Sequence, residues 1–340
     1  YFSNPDNITN ILTRVTGSNA SKIFGTLGVN GNANMFLINP NGIIFGENAI
    51  LDISGSFTAT TAESIFIDNY EFSAVNSNET PLLKINLTPG LQYGKINPES
   101  EIKNQGVLKV GEKQNLTLFG GRVNHTDTGS LIAHGGTVEL SGDDINLKGT
   151  VDTTGVNGEV GTVIIDPKNI LIAENGDFSG DDISQNLAVN NVILQANNDI
   201  TVDDDITGIG TNNLTLEAGR SINIDENRNI FLSGGSFNAK INDENALPSE
   251  RDTGIAEFQM NPQSSIITNG GDVNIVSGSF ANTSQINTAF GAIIAGNPNG
   301  DGGNINLSAI GDVTTGFTVS GFLNDPNLAL VVGDFVPIPT

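Results

Sequence analysis

A short apolar strand recurs along this chain at a spacing close to 22 residues. Asn190-Asn191-Val192-Ile193-Leu194-Gln195-Ala196, then Ile200-Thr201-Val202, is matched by Asn212-Asn213-Leu214-Thr215-Leu216-Glu217-Ala218, then Ile222-Asn223-Ile224. Val192 to Leu214 is 22 residues, Leu116 to Val138 is again 22, and Val138 to Val163 is 25. Glycine introduces many of these strands: Gly135-Gly136-Thr137-Val138-Glu139-Leu140, Gly161-Thr162-Val163, Gly270-Gly271-Asp272-Val273-Asn274-Ile275 and Gly302-Gly303-Asn304-Ile305-Asn306-Leu307. Apolar residues alternate over four to eight positions and are punctuated by Gly, Asn and Asp, which is a strand-and-turn code, and helical periodicity is nearly absent. One such unit cannot bury its own apolar face, so a repeat of this length stacks into a solenoid. The expected fold is all-β, a right-handed parallel β-helix of about 15 coils stacked at the 4.8 Å strand spacing. A doubly wound α/β sheet is excluded, because it needs helices between its strands.

Composition narrows the function. Lys and Arg number 14 against 38 Asp and Glu, a net charge of −24 that argues against nucleic acid or an anionic membrane as partner. Cys is 0, which removes disulfides, zinc–thiolate sites and cysteine nucleophiles. No apolar run approaches a membrane-spanning helix. The 46 asparagines suit turns, where Asn tolerates left-handed backbone, and they also stack in ladders. The chain opens at Tyr1 without a charged-then-apolar leader, as expected of a processed or cut exported protein.

Three segments leave the rhythm. Residues 69–95 read as an extra-helical β-hairpin packed on the side of the solenoid. Residues 239–262, with Pro248 and Pro262, read as an excursion loop. Residues 324–340, with three prolines, read as a cap or a truncated end.

Between the strands Phe36-Leu37-Ile38 and Ile43-Ile44-Phe45 lies Asn39-Pro40-Asn41-Gly42. This is a β-turn sequence: Pro40 presets φ at the second position, Asn41 suits the third, and Gly42 closes the turn. Together with Ile11-Leu12-Thr13-Arg14-Val15-Thr16-Gly17 and Gly55-Ser56-Phe57 followed by Ala59-Thr60-Thr61-Ala62, this motif closely resembles the secretion domain of two-partner-secretion exoproteins, the filamentous-haemagglutinin family, and its cyanobacterial members especially. The resemblance is strong over residues 1–67, looser to about 165 and generic afterwards. It implies a secretion domain over 1–165 that lacks its first coils, and continuing passenger repeats over 166–340. It also implies a non-catalytic adhesin-like protein at a Gram-negative cell surface, exported through an outer-membrane β-barrel partner with periplasmic recognition domains. Asn39, Pro40, Asn41 and Gly42 are the candidate secretion-motif residues. A second family motif of Asn-Pro-Asn-Leu type is absent, and Asn4-Pro5-Asp6-Asn7 only echoes it.

Other constellations read as structural. Asp143-Asp144, Asp181-Asp182 and Asp203-Asp204-Asp205 lack the glycine-aspartate nonapeptide of calcium β-rolls and read as solvated turn carboxylates. No cofactor is expected, with calcium the one ion that these runs leave open. His125 and His134 read as surface or turn residues, too few for a zinc site. Arg122, Arg220, Arg228 and Arg251 show no fixed register with the acids. The rival readings are a carbohydrate-active β-helix working through paired carboxylates, and a rod that carries a toxin or enzyme domain beyond residue 340.

Overall fold

A computed structural model describes residues 1–3, 5, 7–67, 70–76, 92–297 and 300–320. The described chain winds into a parallel β-solenoid of about 12 turns with almost no helix. It divides into two compact units, Tyr1–Ile165 and Asp166–Thr340. The coils are fewer than a strict 22-residue period gives, because several coils carry long excursions: Phe57 stacks under Leu116, Phe237 under Val273 and Val273 under Ile305.

In the first unit each coil contributes a strand to each of three parallel sheets. One sheet runs Asn10–Arg14, Asn34–Ile38, Phe57–Thr60, Leu116–Phe119, Thr137–Ser141 and Thr162–Asp166. A second runs Ser21–Ile23, Ile43–Phe45, Glu101–Asn104, Arg122–His125 and Asp144–Leu147, and a third runs from Phe2–Ser3 to Thr150–Asp152. Register is exact in kind from coil to coil, with Met35 on Phe57, Phe57 on Leu116 and Leu116 on Val138. Those side chains and Leu37, Ala59, Leu118 and Leu140 form dry apolar columns. Burying each large one stabilises the fold by roughly 1.5–3 kcal/mol, and phenylalanines such as Phe45 and Phe57 are among the largest of them.

In the second unit one sheet stacks Asn191–Ala196, Leu214–Ala218, Phe237–Ile241, Val273–Ser277 and Ile305–Ser308. The remaining strands, among them Ile200–Val202, Ile222–Ile224 and Ala256–Met260, form a sheet joined across by the 11-residue strand Ser284–Ile294.

The repeated glycines and asparagines share one corner. A Cβ on Gly136 would overlap the Gln114 carbonyl, one on Gly271 the Gly235 carbonyl, and one on Gly303 the Gly271 carbonyl. The coils meet there backbone to backbone, so only hydrogen fits. The residue that opens the strand after this corner extends the ladder with its side chain. Asn34 Oδ1 accepts the Ser56 N–H at 2.8 Å, Ser56 Oγ the Asn115 N–H at 3.0 Å, and Asn115 Oδ1 the Thr137 N–H at 3.2 Å. In the second unit Asn191, Asn213, Ser236 and Asp272 accept in turn from Asn213, Ser236, Asp272 and Asn304. These groups satisfy corner N–H donors that the strand ladder leaves unpaired.

The extra-helical element is a small antiparallel sheet that begins earlier than residue 69. Tyr70–Ser73 pairs with Ser64–Ile67, whose other edge takes Gln92–Tyr93. Residues 77–91 of the expected hairpin lie outside the described residues, as does the tail 324–340. This sheet covers the outer face of the coils below it, where Phe36, Ile38, Ile65, Phe72 and Ala74 form a second core with Leu12 and Tyr93 against it. That cover explains why Met35-Phe36-Leu37-Ile38 is apolar without alternation, since both faces are buried. The Tyr93 ring lies 4.0 Å from the Phe119 ring. Burial, then the Glu139 carboxylate, raises the Tyr93 phenol well above its usual range. Burial also pushes the Glu139 carboxyl up, opposed by the Thr117 hydroxyl that donates to it at 3.2 Å.

The excursion read as 239–262 is shorter, spanning 242–255, because Phe237–Ile241 and Ala256–Met260 remain coil strands. A helix unforeseen in the sequence occupies Gly180–Leu187, buries Ile183 and Leu187, and is held by a capping box between Ser179 and Asp182. Asp181 and Asp182 thus form its first turn, where the helix dipole favours them. Ser179→Ala is expected to lower stability by about 1 kcal/mol, seen as a reduced melting temperature of the second unit.

Candidate functional site

The candidate turn follows directly from strand Asn34–Ile38. Asn39 is fully buried at the corner, although it is an amide. Its backbone N–H donates to the Thr60 carbonyl at 3.0 Å in the next coil. Its Nδ2 donates to the Asn19 carbonyl at 3.0 Å and to Ser21 Oγ at 2.9 Å in the preceding coil. Its Oδ1 accepts the Asn41 backbone N–H at 3.0 Å and Asn41 Nδ2 at 3.2 Å. Every hydrogen-bonding atom of this amide is therefore used, as burial of a polar group requires.

The Gly42 N–H closes the turn onto the Asn39 carbonyl at 3.1 Å, and the Gly42 carbonyl accepts the Ser21 N–H at 3.0 Å. Gly42 holds φ at 105°, and a Cβ there would sit 3.1 Å from the Glu101 carbonyl oxygen. The left-handed residue of the turn is Gly42, while exposed Asn41 contributes its side chain, donating to the Gly17 carbonyl at 2.8 Å. Pro40 is half-buried between them.

The segments that carry the sequence resemblance meet here. Ile11 to Arg14 stack on Met35 to Ile38, Gly17 receives Asn41, and Thr60 receives Asn39. Ala59 and Thr60 stack on Leu37 and Ile38, and the Thr61 hydroxyl takes the Gly121 N–H at 3.2 Å. One corner thus ties three coils together through a single four-residue turn.

The other candidates resolve differently from their sequence reading. Asp203 pairs with Arg228 at 2.9 Å, Asp204 Oδ2 accepts the Gly180 N–H at 2.8 Å, and Asp205 Oδ1 accepts the Asn229 N–H at 2.7 Å. Among the described residues no group of three or more His, Cys, Asp or Glu is placed to hold a metal ion. Three of the four arginines do keep register with acids. Arg220 Nε donates to Asp199 Oδ1 at 2.8 Å across 21 residues, Arg228 reaches Asp203 across 25, and Arg122 stacks on Asp144. Each pair lies one coil apart, a spacing visible in the sequence once counted.

His125 is not a surface residue. It is fully buried, and burial pulls its pKa down to about 4 against a raising contribution from the Thr150 carbonyl. Its Nδ1 lies 3.1 Å from Asn104 Nδ2, and its Nε2 lies 3.1 Å from the Thr150 carbonyl. Asn104 Oδ1 accepts the Gly106 N–H, which fixes its Nδ2 as a donor and His125 Nδ1 as the acceptor. A shallow pocket in the second unit is lined by Asp203, Asp225, Glu226, Asn227, Arg228, Asn261 and Pro262, with no aromatic ring to stack on a sugar.

The TPS secretion domain model matches residues 1–216. The heme/hemopexin-binding protein of Haemophilus influenzae is 31% identical over 122 residues, 36% of this chain and 12% of that protein. The chain thus spans a small fraction of that relative's length. No solved structure matches the chain. Among the described residues no helix is long and apolar enough to cross a membrane. With the family match covering well over half its length, the chain belongs to the TPS secretion domain family, and so to the secreted, two-partner-secretion exoproteins of Gram-negative bacteria.

Proposed function

We propose that residues 1–165 are read by a partner outer-membrane β-barrel transporter, and that residues 166–340 continue as passenger coils of a non-catalytic, adhesin-like protein. The observation that carries this reading is the buried Asn39, whose side-chain amide bonds the preceding coil through Asn19 and Ser21 and whose backbone N–H bonds the next through Thr60. A chain emerging through a pore gains nothing from one isolated coil. A turn that fastens three coils supplies a nucleus from which the repeat propagates. While still extended, the same strands offer free edges to a partner's sheet. The passenger's target is a host-cell, neighbouring-cell or polysaccharide surface. The name of the Haemophilus relative describes a binding protein, which fits a passenger that binds rather than cleaves.

The test is co-expression with a barrel transporter of the two-partner-secretion type, with secreted protein quantified. Asn39→Ala removes four side-chain hydrogen bonds. Losing this network at a fully buried position costs about 2–3 kcal/mol, and secretion is expected to fall severalfold. Ser179→Ala, outside the motif, leaves secretion unchanged. Equal secretion of Asn39→Ala and wild type removes the motif from the mechanism. Release of fragments from acidic polysaccharide by the purified chain, lost with a calcium chelator, would instead establish the carbohydrate-active reading.

A further inference from the structure

The excursion 242–255 leaves the solenoid after strand Phe237–Ile241, yet it does not hang free. It returns along the corner and bonds coils on both sides of its own. Leu247 N–H donates to Asn197 Oδ1 at 2.9 Å, and Asn197 Nδ2 donates to Glu250 at 3.0 Å. Asp252 and Asn198 exchange two hydrogen bonds, each 3.0 Å. Arg251 Nε donates to the Gly219 carbonyl at 2.7 Å, and Arg220 donates to the Thr253 carbonyl at 3.1 Å. In the other direction the Arg251 guanidinium rests 4.6 Å from the centre of the Phe280 ring. Asn242, fully buried with φ at 55°, donates to the carbonyls of Gly278 at 3.0 Å and Ala281 at 2.9 Å and accepts the Ala281 N–H at 2.8 Å.

Neighbouring coils here touch across 22 to 36 residues, whereas the bonds from the loop to Asn197 and Asn198 span 50 to 54. A solenoid whose coils meet only their neighbours frays from an end one coil at a time. A loop rooted in the third coil and bonded to the first, second and fourth forbids that. Its buried Asn242 amide has its partners only when residues 278–281 of the fourth coil are in place.

We propose that residues 242–255 are a catch that closes only after the fourth coil is laid down and fastens the coils of strands Asn191–Ala196, Leu214–Ala218, Phe237–Ile241 and Val273–Ser277 into one cooperative block. For a chain exported as proposed above, such a block cannot be drawn back coil by coil. That use rests on the export reading, but the catch itself does not.

Hydrogen exchange read by mass spectrometry on the purified full chain, with no transporter present, tests the catch alone. In the wild type the amides of the four strands open together. In Arg251→Ala/Asp252→Ala the amides of Asn191–Ala196, more than fifty residues from either substitution, exchange at least about tenfold faster than in wild type. Asp252→Ala alone, at an exposed position, removes only the bond that Asn198 Nδ2 donates to the carboxylate and shows the same distant effect at smaller size, which decides the matter if the double variant does not fold. Faster exchange confined to 242–255, or none in the single variant, overturns the proposal.

Discussion

Gly271→Ala is expected to be among the most damaging single-methyl changes in the molecule. The new Cβ would meet the carbonyl oxygen and carbon of Gly235 and the amide nitrogen of Ser236, all backbone. No side chain is available to rotate aside, so the two coils must separate along the corner where Ser236 Oγ accepts the Asp272 N–H. Overpacking of this kind costs about 3 kcal/mol. The same substitution at Gly210, which has no atom within 4 Å of the new Cβ and no positive φ, is expected to be neutral or to stabilise slightly. Urea titration followed by far-ultraviolet circular dichroism separates the two. A Gly271→Ala midpoint equal to that of Gly210→Ala would mean that the coils do not approach as described.

His125 sets the second large effect. Its neutral ring is fully satisfied, Nδ1 by Asn104 and the Nε2 proton by the Thr150 carbonyl. A second proton would face the Asn104 amino group with no water to receive it. The folded pKa, lowered to about 4 from 6.5, lies below the unfolded one, so the unfolded chain binds the extra proton first as pH falls. Stability from this residue is whole above about pH 6.5 and drains away towards pH 4, by about 3 kcal/mol in all. Glu139, with its carboxyl pushed up by burial, works in the opposite sense and weakens the fold as pH rises through its titration. The comparison is therefore between wild type and His125→Gln. The variant is less stable at neutral pH, and its stability falls less between pH 6.5 and 4. Parallel pH curves for the two would show that the histidine does not titrate as a buried group.

The solenoid was legible because its signal repeats. Val192 with Leu214, and Leu116 with Val138, sit at a spacing that only stacking of like coils satisfies, and the structure pairs them as that spacing predicts. The glycines before each strand were visible as a pattern, but their reason was not. That reason is the approach of backbone from a coil more than twenty residues away, which no local rule encodes. The helix Gly180–Leu187 escaped for the converse reason: eight residues carry too little periodicity, and its clearest mark is the Ser179 to Asp182 capping box beside an acidic pair that reads equally well as a turn. His125 escaped because a lone polar residue in a turn looks exposed until the carbonyl of Thr150, a coil away, is brought over it. At the candidate site the turn itself was evident from Pro40 and Gly42. The burial of Asn39 was not, since the partners of its amide, Asn19 and Ser21, belong to another coil.

All of this depends on parallel coils held in one register, and the absence of cysteine from the chain allows a clean test. Thr215 and Asn238 are register partners on the outer face of adjacent strands. Parallel neighbours lie about 4.8 Å apart, inside the Cα separation of about 4.4–6.8 Å that a disulfide spans. Oxidised Thr215→Cys/Asn238→Cys is expected to form its disulfide in nearly every folded molecule. Thr215→Cys/Lys240→Cys, offset by two residues to about 8 Å, is expected to form almost none. Efficient closure of the offset pair with failure of the aligned pair would contradict the stacked-coil account.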